Sequence, residues 1–418
     1  MKRGTLLLVI LCLVSLASVG CEKRPEFPNV YVVVVGGLTP LASNLYADGE
    51  NATPHFSEFI KNAVLYKNAV TSSSWALPSI ASLLTGSRPM AHNMTDAAWS
   101  DGRLMRPNLS THIRTLGEEM AKLGYTTFVF TNSPWITEYN HMTTGFNHSI
   151  LLPGQNADTV ADAVVEKRDL LQKNRRLVFV VLNDDGCAAL SGAPWFDSKN
   201  AYLDFARKQD SVLGRVLETL APRKSDIVVV TADHGARIDE AGAIRYGTGL
   251  TLLEMRVPLA IQYPEQRFAG RRYNELVAVR DVPATIFAAL PIPKTALWGG
   301  LNLYQGLVER RLPERRIVTF FVSGETRTIG MFFQGRKYDY TFNKGPLSLY
   351  DYEKDPAQKR NLLESEPDNA EKMRREIEVF ESRFERRNSR LLPCSIQEIN
   401  ESMARCMERK HTGDQEKP

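Results

Sequence analysis

Six consecutive residues, Val30-Tyr31-Val32-Val33-Val34-Val35, are apolar and almost all β-branched, and Gly36-Gly37 follows them directly. A strand with water on one face alternates polar and apolar side chains. This run has no polar side, so it predicts a strand buried on both faces of a parallel sheet. Comparable runs recur at Thr126–Thr131, 177–182, Ile227–Thr231 and 258–261, separated by helical patterns that include 109–123 and 201–220. Alternating strands and helices predict an α/β fold with a mostly parallel central sheet flanked by helices. Ligands bind such sheets at the carboxyl ends of the strands, where Gly36, Gly37, Asn183, Asp184, Asp233 and His234 fall.

Beyond about residue 300 the texture changes to short aromatic and β-branched runs at 317–322, 329–333 and 338–342, with Gly335 and Gly345 as turn residues. They predict a small C-terminal antiparallel sheet, followed by a charged helix over 366–387. The expected organisation is a signal peptide over 1–20, a tether over 21–27 and an α/β domain over 28–300. A small α+β subdomain over 301–390 and a tail over 391–418 complete it. At 43% apolar and 24% charged residues the composition is that of a globular protein, not a disordered one.

The signal peptide is read from Lys2 and Arg3, the unbroken apolar run 6–14, and the small residues Ser15, Ala17, Ser18 and Gly20. The run is shorter than the ~20 apolar residues that span a bilayer, so the chain is expected to be exported. The stretch 16–21 resembles a bacterial lipoprotein cleavage site, with Cys21 as the lipidated first residue and Ser18 where such sites usually have leucine. The expectation is a lipoprotein of the cell envelope, attached to the membrane through Cys21, with ordinary secretion as the alternative. The formal charge of +4 falls to +2 when Lys2 and Arg3 leave, which gives no reason to expect a nucleic-acid partner. An oxidising compartment permits Cys394 and Cys406 to pair, leaving Cys187 as a buried apolar residue.

Residues 71–86 read as a loop opening into a helix, with Pro78 suited to the first turn and Gly86 to a left-handed exit. A helix amino end presents unpaired N–H groups and partial positive charge to an anion. The segment Thr71-Ser72-Ser73-Ser74-Trp75-Ala76-Leu77-Pro78-Ser79-Ile80 and its continuation to Gly86 resemble the signature of the sulfatase family, within the alkaline-phosphatase-like superfamily. Other landmarks are similar and stand in the family's order. They include Thr53-Pro54-His55-Phe56, Leu116-Gly117-Glu118, Asp233-His234-Gly235, Arg256-Val257-Pro258-Leu259, Asp281-Val282-Pro283-Ala284-Thr285 and Leu349-Tyr350-Asp351. The resemblance covers about residues 27 to 363.

What the resemblance implies for the site is mostly missing. The nucleophile belongs two residues before the proline, where the chain has Ala76, and the arginine that steadies it is replaced by Ile80. Two metal-binding aspartates belong directly after the first strand, where Gly36 and Gly37 stand. A hard cation takes six or so oxygen ligands, several of them anionic. Thr248 occupies the turn where a second histidine is implied, and the histidine-bearing region after the third long strand reads Asn183-Asp184-Asp185-Gly186-Cys187. Asp233 and His234 remain as metal ligands, enough for a weak residual calcium or zinc ion but not for a dependable catalytic one.

Two further readings concern the same residues. Asp233-His234-Gly235 alternatively persists as a hydrogen-bonded strand terminus, and Asp184 and Asp185 are alternative ligands from the neighbouring strand end. Ser72, Ser73, Ser74 and Ser79 lie close enough in sequence to offer a substitute nucleophile, although loop and capping roles explain them more simply.

Coordinated loss at Gly36, Gly37, Ala76, Ile80 and Thr248 leads to the expectation of a catalytically inactive pseudoenzyme. It would serve as a binding or regulatory module in the envelope, its partner an anionic ligand or another protein. One alternative is a sulfuric- or phosphoric-ester hydrolase with a remodelled metal site built on Asp233, His234 and Asp184 or Asp185. The other is a transferase for envelope glycan or lipid headgroups. Both need a nucleophile, and a methyl group cannot be activated by a base or a metal.

Overall fold

A computed structural model describes residues 27–384 and 392–393, apart from 47–48, 96–97, 101–102, 174, 184–194, 294–297, 324–325 and 343. The signal segment, Cys21, Asp184, Asp185, Cys187, Cys394 and Cys406 lie outside the described residues. No helix among the described residues is long and apolar enough to cross a membrane.

Eight strands build the central sheet: β1 (Val30–Val35), β2 (Val64–Val70), β3 (Thr126–Thr131), β4 (His148–Leu151), β5 (Arg176–Leu182), β6 (Ile227–Thr231), β7 (Arg256–Gln262) and β8 (Arg272–Ala278). Their order is β8-β2-β7-β6-β1-β5-β3-β4. Neighbours are parallel except at β7, which runs against both β2 and β6. β1 lies inside the sheet between β5 and β6, and none of its six residues exceeds 1% exposure, the environment its valines require.

β2, β4 and β8 carry no uniformly apolar run. β2 turns Lys67 and Asn68 toward partial exposure, and β8 is an edge strand that opens on Arg272-Tyr273-Asn274-Glu275. The helix expected over 109–123 is confined to Leu116–Lys122. Thr115 caps it, its hydroxyl accepting from the Glu118 N–H while the Glu118 carboxylate takes the Thr115 N–H, and that reciprocal cap fixes the start.

Two groups of helices cover the sheet. One joins α1 (Pro54–Phe59), α4 (Ala157–Glu166) and α5 (Lys199–Leu220), and the other α2 (Ala76–Thr85), α3 (Leu116–Lys122) and α6 (Val282–Ala289). Within the first, Asp210 of α5 takes the His55 and Phe56 N–H groups at 2.7 and 2.9 Å, replacing a side-chain cap that Thr53 does not make. Burial raises the Asp210 carboxyl above its usual range, opposed by those two hydrogen bonds.

Leu303 and Leu307 of α7 (Leu303–Glu309) are buried with the main core. A four-stranded antiparallel meander then follows: β9 (Ile317–Ser323), β10 (Thr326–Phe333), β11 (Arg336–Thr341) and β12 (Gly345–Asp351). Positive φ at Gln334 and Gly335 makes the two-residue turn between β10 and β11, the geometry that matches strand twist in a hairpin. The fourth strand, absent from the runs read in the sequence, begins Gly345-Pro346-Leu347-Ser348, with Pro346 and Leu347 exposed. α8 (Pro367–Phe384) packs Met373 and Ile377 against the sheet. This sheet also reaches the site, because the Phe320 N–H of β9 donates to the Ser72 carbonyl at 2.9 Å.

Candidate functional site

The carboxyl ends of β1, β5 and β6 meet as the sequence pattern requires. Gly36 N–H donates to the Leu182 carbonyl at 2.6 Å, and Gly37 N–H donates to Asp233 Oδ1 at 3.1 Å. The same Oδ1 accepts the His234 N–H at 2.9 Å. Asp233 therefore staples two strand ends through backbone groups, and its Oδ2, buried, has no hydrogen-bond partner among the described residues. His234 is fully buried, with Nδ1 2.9 Å from the Gly235 carbonyl. Gly235 is required here, since a Cβ would stand 2.1 Å from the Leu253 carbonyl oxygen.

Side chains at 36 and 37 are excluded by what packs against them. A Cβ on Gly36 would stand 2.8 Å from the Leu182 oxygen, and one on Gly37 would land 1.9 Å from the Trp195 ring. Gly37 also has φ +67°, a conformation costly for any L side chain. The indole sits in a cluster of rings. It meets Tyr246 edge-on at 5.0 Å and His234 at 5.8 Å, and His234 stacks on Tyr246 at 4.1 Å. Trp195 thus fills the volume into which an aspartate at position 37 would project.

The donors among the described residues do not fit the divalent metal that the resemblance implies. Asp233 has one oxygen committed to two N–H groups, the glycines contribute no carboxylate, and the Gly37 carbonyl already faces the Tyr202 hydroxyl at 3.3 Å. No three His, Cys, Asp or Glu side chains among the described residues form a group able to hold a metal ion.

The loop before α2 is pinned by its backbone. Ser72 O accepts from Phe320, Ser74 O from Gly247, and Ser73 O from the Ser79 hydroxyl at 2.9 Å. Ala76 opens the helix with its methyl 2% exposed, and Ile80 is fully buried where an arginine would need charged partners. Gly86 leaves the helix at φ +61°, the left-handed exit expected of it. The expected capping by serine does not occur. Trp75 is the N-cap, without a side-chain bond, and the buried hydroxyls of Ser73 and Ser74 have no partner among the described residues. Among the described residues, no imidazole or carboxylate accepts a hydrogen bond from Ser72, Ser73, Ser74 or Ser79, so none of these residues activates a serine there. The nearby buried histidine is His92, whose Nδ1 accepts the Met94 N–H while Nε2 lies 2.9 Å from Ser82 Oγ. Burial holds it down to about 3, so it stays neutral and supports α2 rather than moving protons.

Thr248 is held by Glu254, whose Oε1 accepts its N–H at 3.0 Å and its hydroxyl at 2.7 Å. Three cavities adjoin this region. One of about 160 Å³ is lined by Thr39, Tyr46, Lys67, Leu253 and Arg256. A second, of about 350 Å³, includes Arg237, Thr248, Glu254 and Gln358, and a third, of about 360 Å³, includes Asn68, Asn274, Arg256 and Tyr352. Arg256 lines the first and third and Leu253 the first and second, whereas Ala76, Asp233 and His234 line none of the three.

The sulfatase family model matches residues 28–169 and 138–292. The chain belongs to the sulfatase family. No curated protein matches its sequence. Among solved structures, a Bacteroides thetaiotaomicron protein described by its sulfatase likeness superposes with a TM-score of 0.71 at 15% identity, over 88% of this chain and 96% of that one. A 2-O GAG sulfatase gives 0.69 at 16% identity, again over 88% and 96%. A protein solved with its substrate D-glucosamine-2-N,6-O-disulfate gives 0.67 at 15% identity, over 87% and 99%. At these identities the superpositions establish a sulfatase fold. Trp195, Tyr246 and Glu254, which pack around the strand ends and Thr248, were not singled out in the sequence. The one sequence hint was the aromatic spacing Trp195-Phe196, Tyr202 and Phe205.

Proposed function

We propose that this sulfatase-family chain is an exported, Cys21-anchored pseudoenzyme that binds an anionic ligand, a sulfated sugar in the first instance, without hydrolysing it. The observation that carries the reading is Trp195 standing where a metal-binding side chain at position 37 would project, beside a helix that opens on Ala76. Filling a metal site with an indole is a change of use, not a single inactivating substitution. The solved relatives named for GAG sulfate or glucosamine disulfate favour a sulfated sugar as ligand. The cavities that meet at Arg256 and Leu253 supply its chemistry, with Lys67, Arg237 and Arg256 for anions and Tyr46, Tyr352, Asn68 and Gln358 for rings and hydroxyls. The test pairs turnover with binding. The mature chain should hydrolyse neither aryl sulfate nor aryl phosphate with calcium, manganese or zinc added. Calorimetry should register sulfated but not desulfated oligosaccharides, with loss in Arg237→Gln.

A remodelled hydrolase is the second reading, favoured by the unpartnered Oδ2 of Asp233 and by Asp184 and Asp185 directly following Asn183. Metal-dependent turnover that disappears in Asp233→Ala would establish it in place of the first.

A further inference from the structure

The amino edge of the central sheet lies opposite the strand ends that carry Gly37 and Asp233, and Phe27, the first described residue, stands at that edge. Phe27 packs edge-on against Tyr125 at 6.3 Å, with the Arg175 guanidinium 4.1 Å from its ring, and the Pro28 carbonyl accepts the Tyr125 hydroxyl at 2.7 Å. Cys21 stands six residues before Phe27, and six residues reach at most ~22 Å. A lipid on Cys21 therefore keeps the bilayer within that reach of the amino ends of β1, β3 and β5.

The edge is basic. Lys173 and Arg175 precede β5, Lys224 precedes β6, and Arg267, Arg271 and Arg272 lead into β8; all six are exposed. None of them forms an ion pair among the described residues, while nearby carboxylates are engaged: Glu166 with Lys167 and Asp226 with Arg223. The exposed acids Asp169, Glu218 and Glu265 offset three of the six, leaving an excess of three positive charges. Backbone bonds knit the row together, from Leu65 N–H to Arg271 O and Gly270 N–H to Ala63 O, through Gln266 N–H to Lys224 O, to Thr126 N–H to Arg175 O. Phe268 lies among these cations, with the Arg267 and Arg271 guanidinium groups 5.2 and 5.0 Å from its ring. Phe268 is half-buried against Tyr263 and Tyr304, so it anchors Arg267 and Arg271 at the edge, and the basic side chains themselves present the headgroup surface.

We propose that this edge is a membrane-facing surface for anionic phospholipid headgroups, which holds the chain upright with the strand ends that carry Gly37 and Asp233 turned away from the bilayer. The orientation rests on the Cys21 anchor proposed above; the headgroup affinity does not. Each cation near an anionic leaflet multiplies partitioning by ~5-fold, so Arg267→Gln/Arg271→Gln/Arg272→Gln should lower it by ~100-fold.

The experiment sediments the mature full chain carrying Cys21→Ser with vesicles of phosphatidylcholine alone or mixed with phosphatidylglycerol. The expected result is binding to the mixed vesicles that weakens with salt and drops in the triple variant, with no change in Lys359→Gln/Arg360→Gln beside the cavities. If the triple variant melts early, Lys173→Gln/Lys224→Gln makes the same comparison on separate loops. Equal partitioning to both vesicle types, or binding indifferent to these substitutions, overturns the proposal. Mass spectrometry of the Cys21 peptide from native membranes reads the anchor independently. An unmodified Cys21 with intact phosphatidylglycerol binding overturns the upright orientation and supports the headgroup surface.

Discussion

Gly37→Ala, made alone and with Trp195→Ala, tests whether the indole keeps side chains out of the volume beside the carboxyl end of β1. Two costs act on the single substitution. A non-glycine residue at φ +67° costs ~1–2 kcal/mol, and a Cβ 1.9 Å from the Trp195 ring must displace an indole wedged against Tyr246 and Phe205, an overpacking cost of ~1–3 kcal/mol. Gly37→Ala should therefore lose ~2–5 kcal/mol. Trp195→Ala alone should lose ~3–5 kcal/mol through the cavity it leaves. With the ring gone only the backbone strain remains, so Gly37→Ala should then cost ~1–2 kcal/mol. The difference, a coupling of ~1–3 kcal/mol, is read from urea midpoints followed by circular dichroism across the four proteins of the cycle. Equal costs in the two backgrounds would refute the claim that Trp195 and a side chain at 37 compete for one volume.

Asp233→Asn should be near neutral, because the amide oxygen still accepts the Gly37 and His234 N–H groups. Asp233→Ala strands both and should cost ~2–4 kcal/mol in chemical denaturation. His92, held down to about 3, stays unprotonated in the folded chain while the unfolded chain takes up a proton near 6.5. Stability is therefore lost as pH falls through that window, by ~1.4 kcal/mol per pH unit, and His92→Gln should flatten the profile of melting temperature against pH. Asp281 is fully buried, pairs with Arg315 and accepts the Ala278 and Leu301 N–H groups. Asp281→Ala should cost ~3–5 kcal/mol and lower the thermal midpoint accordingly.

Much of the fold was legible because buried parallel strands leave no polar positions to confuse the pattern. β1, β3 and β6 have the bounds their apolar runs predict. β8 was hidden because an edge strand tolerates Arg272, Asn274 and Glu275 on exposed positions. That Gly36, Gly37 and Ala76 bring no carboxylate or nucleophile follows from residue type alone. What packs beside them does not, since Trp195 and Tyr246 reach the strand ends from positions that no periodicity encodes. The serines of the α2 loop were read as having loop and capping roles, and the loop role holds while the cap does not. Tertiary bonds from Phe320 and Gly247 hold that loop instead, and the backbone needs no serine cap.

The double duty of Asp233 bears on what the strand ends tolerate. Its Oδ1 closes two backbone donors, one after β1 and one in its own turn, so the position answers to folding whatever chemistry the site performs. An Asp-His-Gly at the end of such a strand therefore reports a joint in the scaffold as much as a metal ligand, and its presence alone is no measure of turnover.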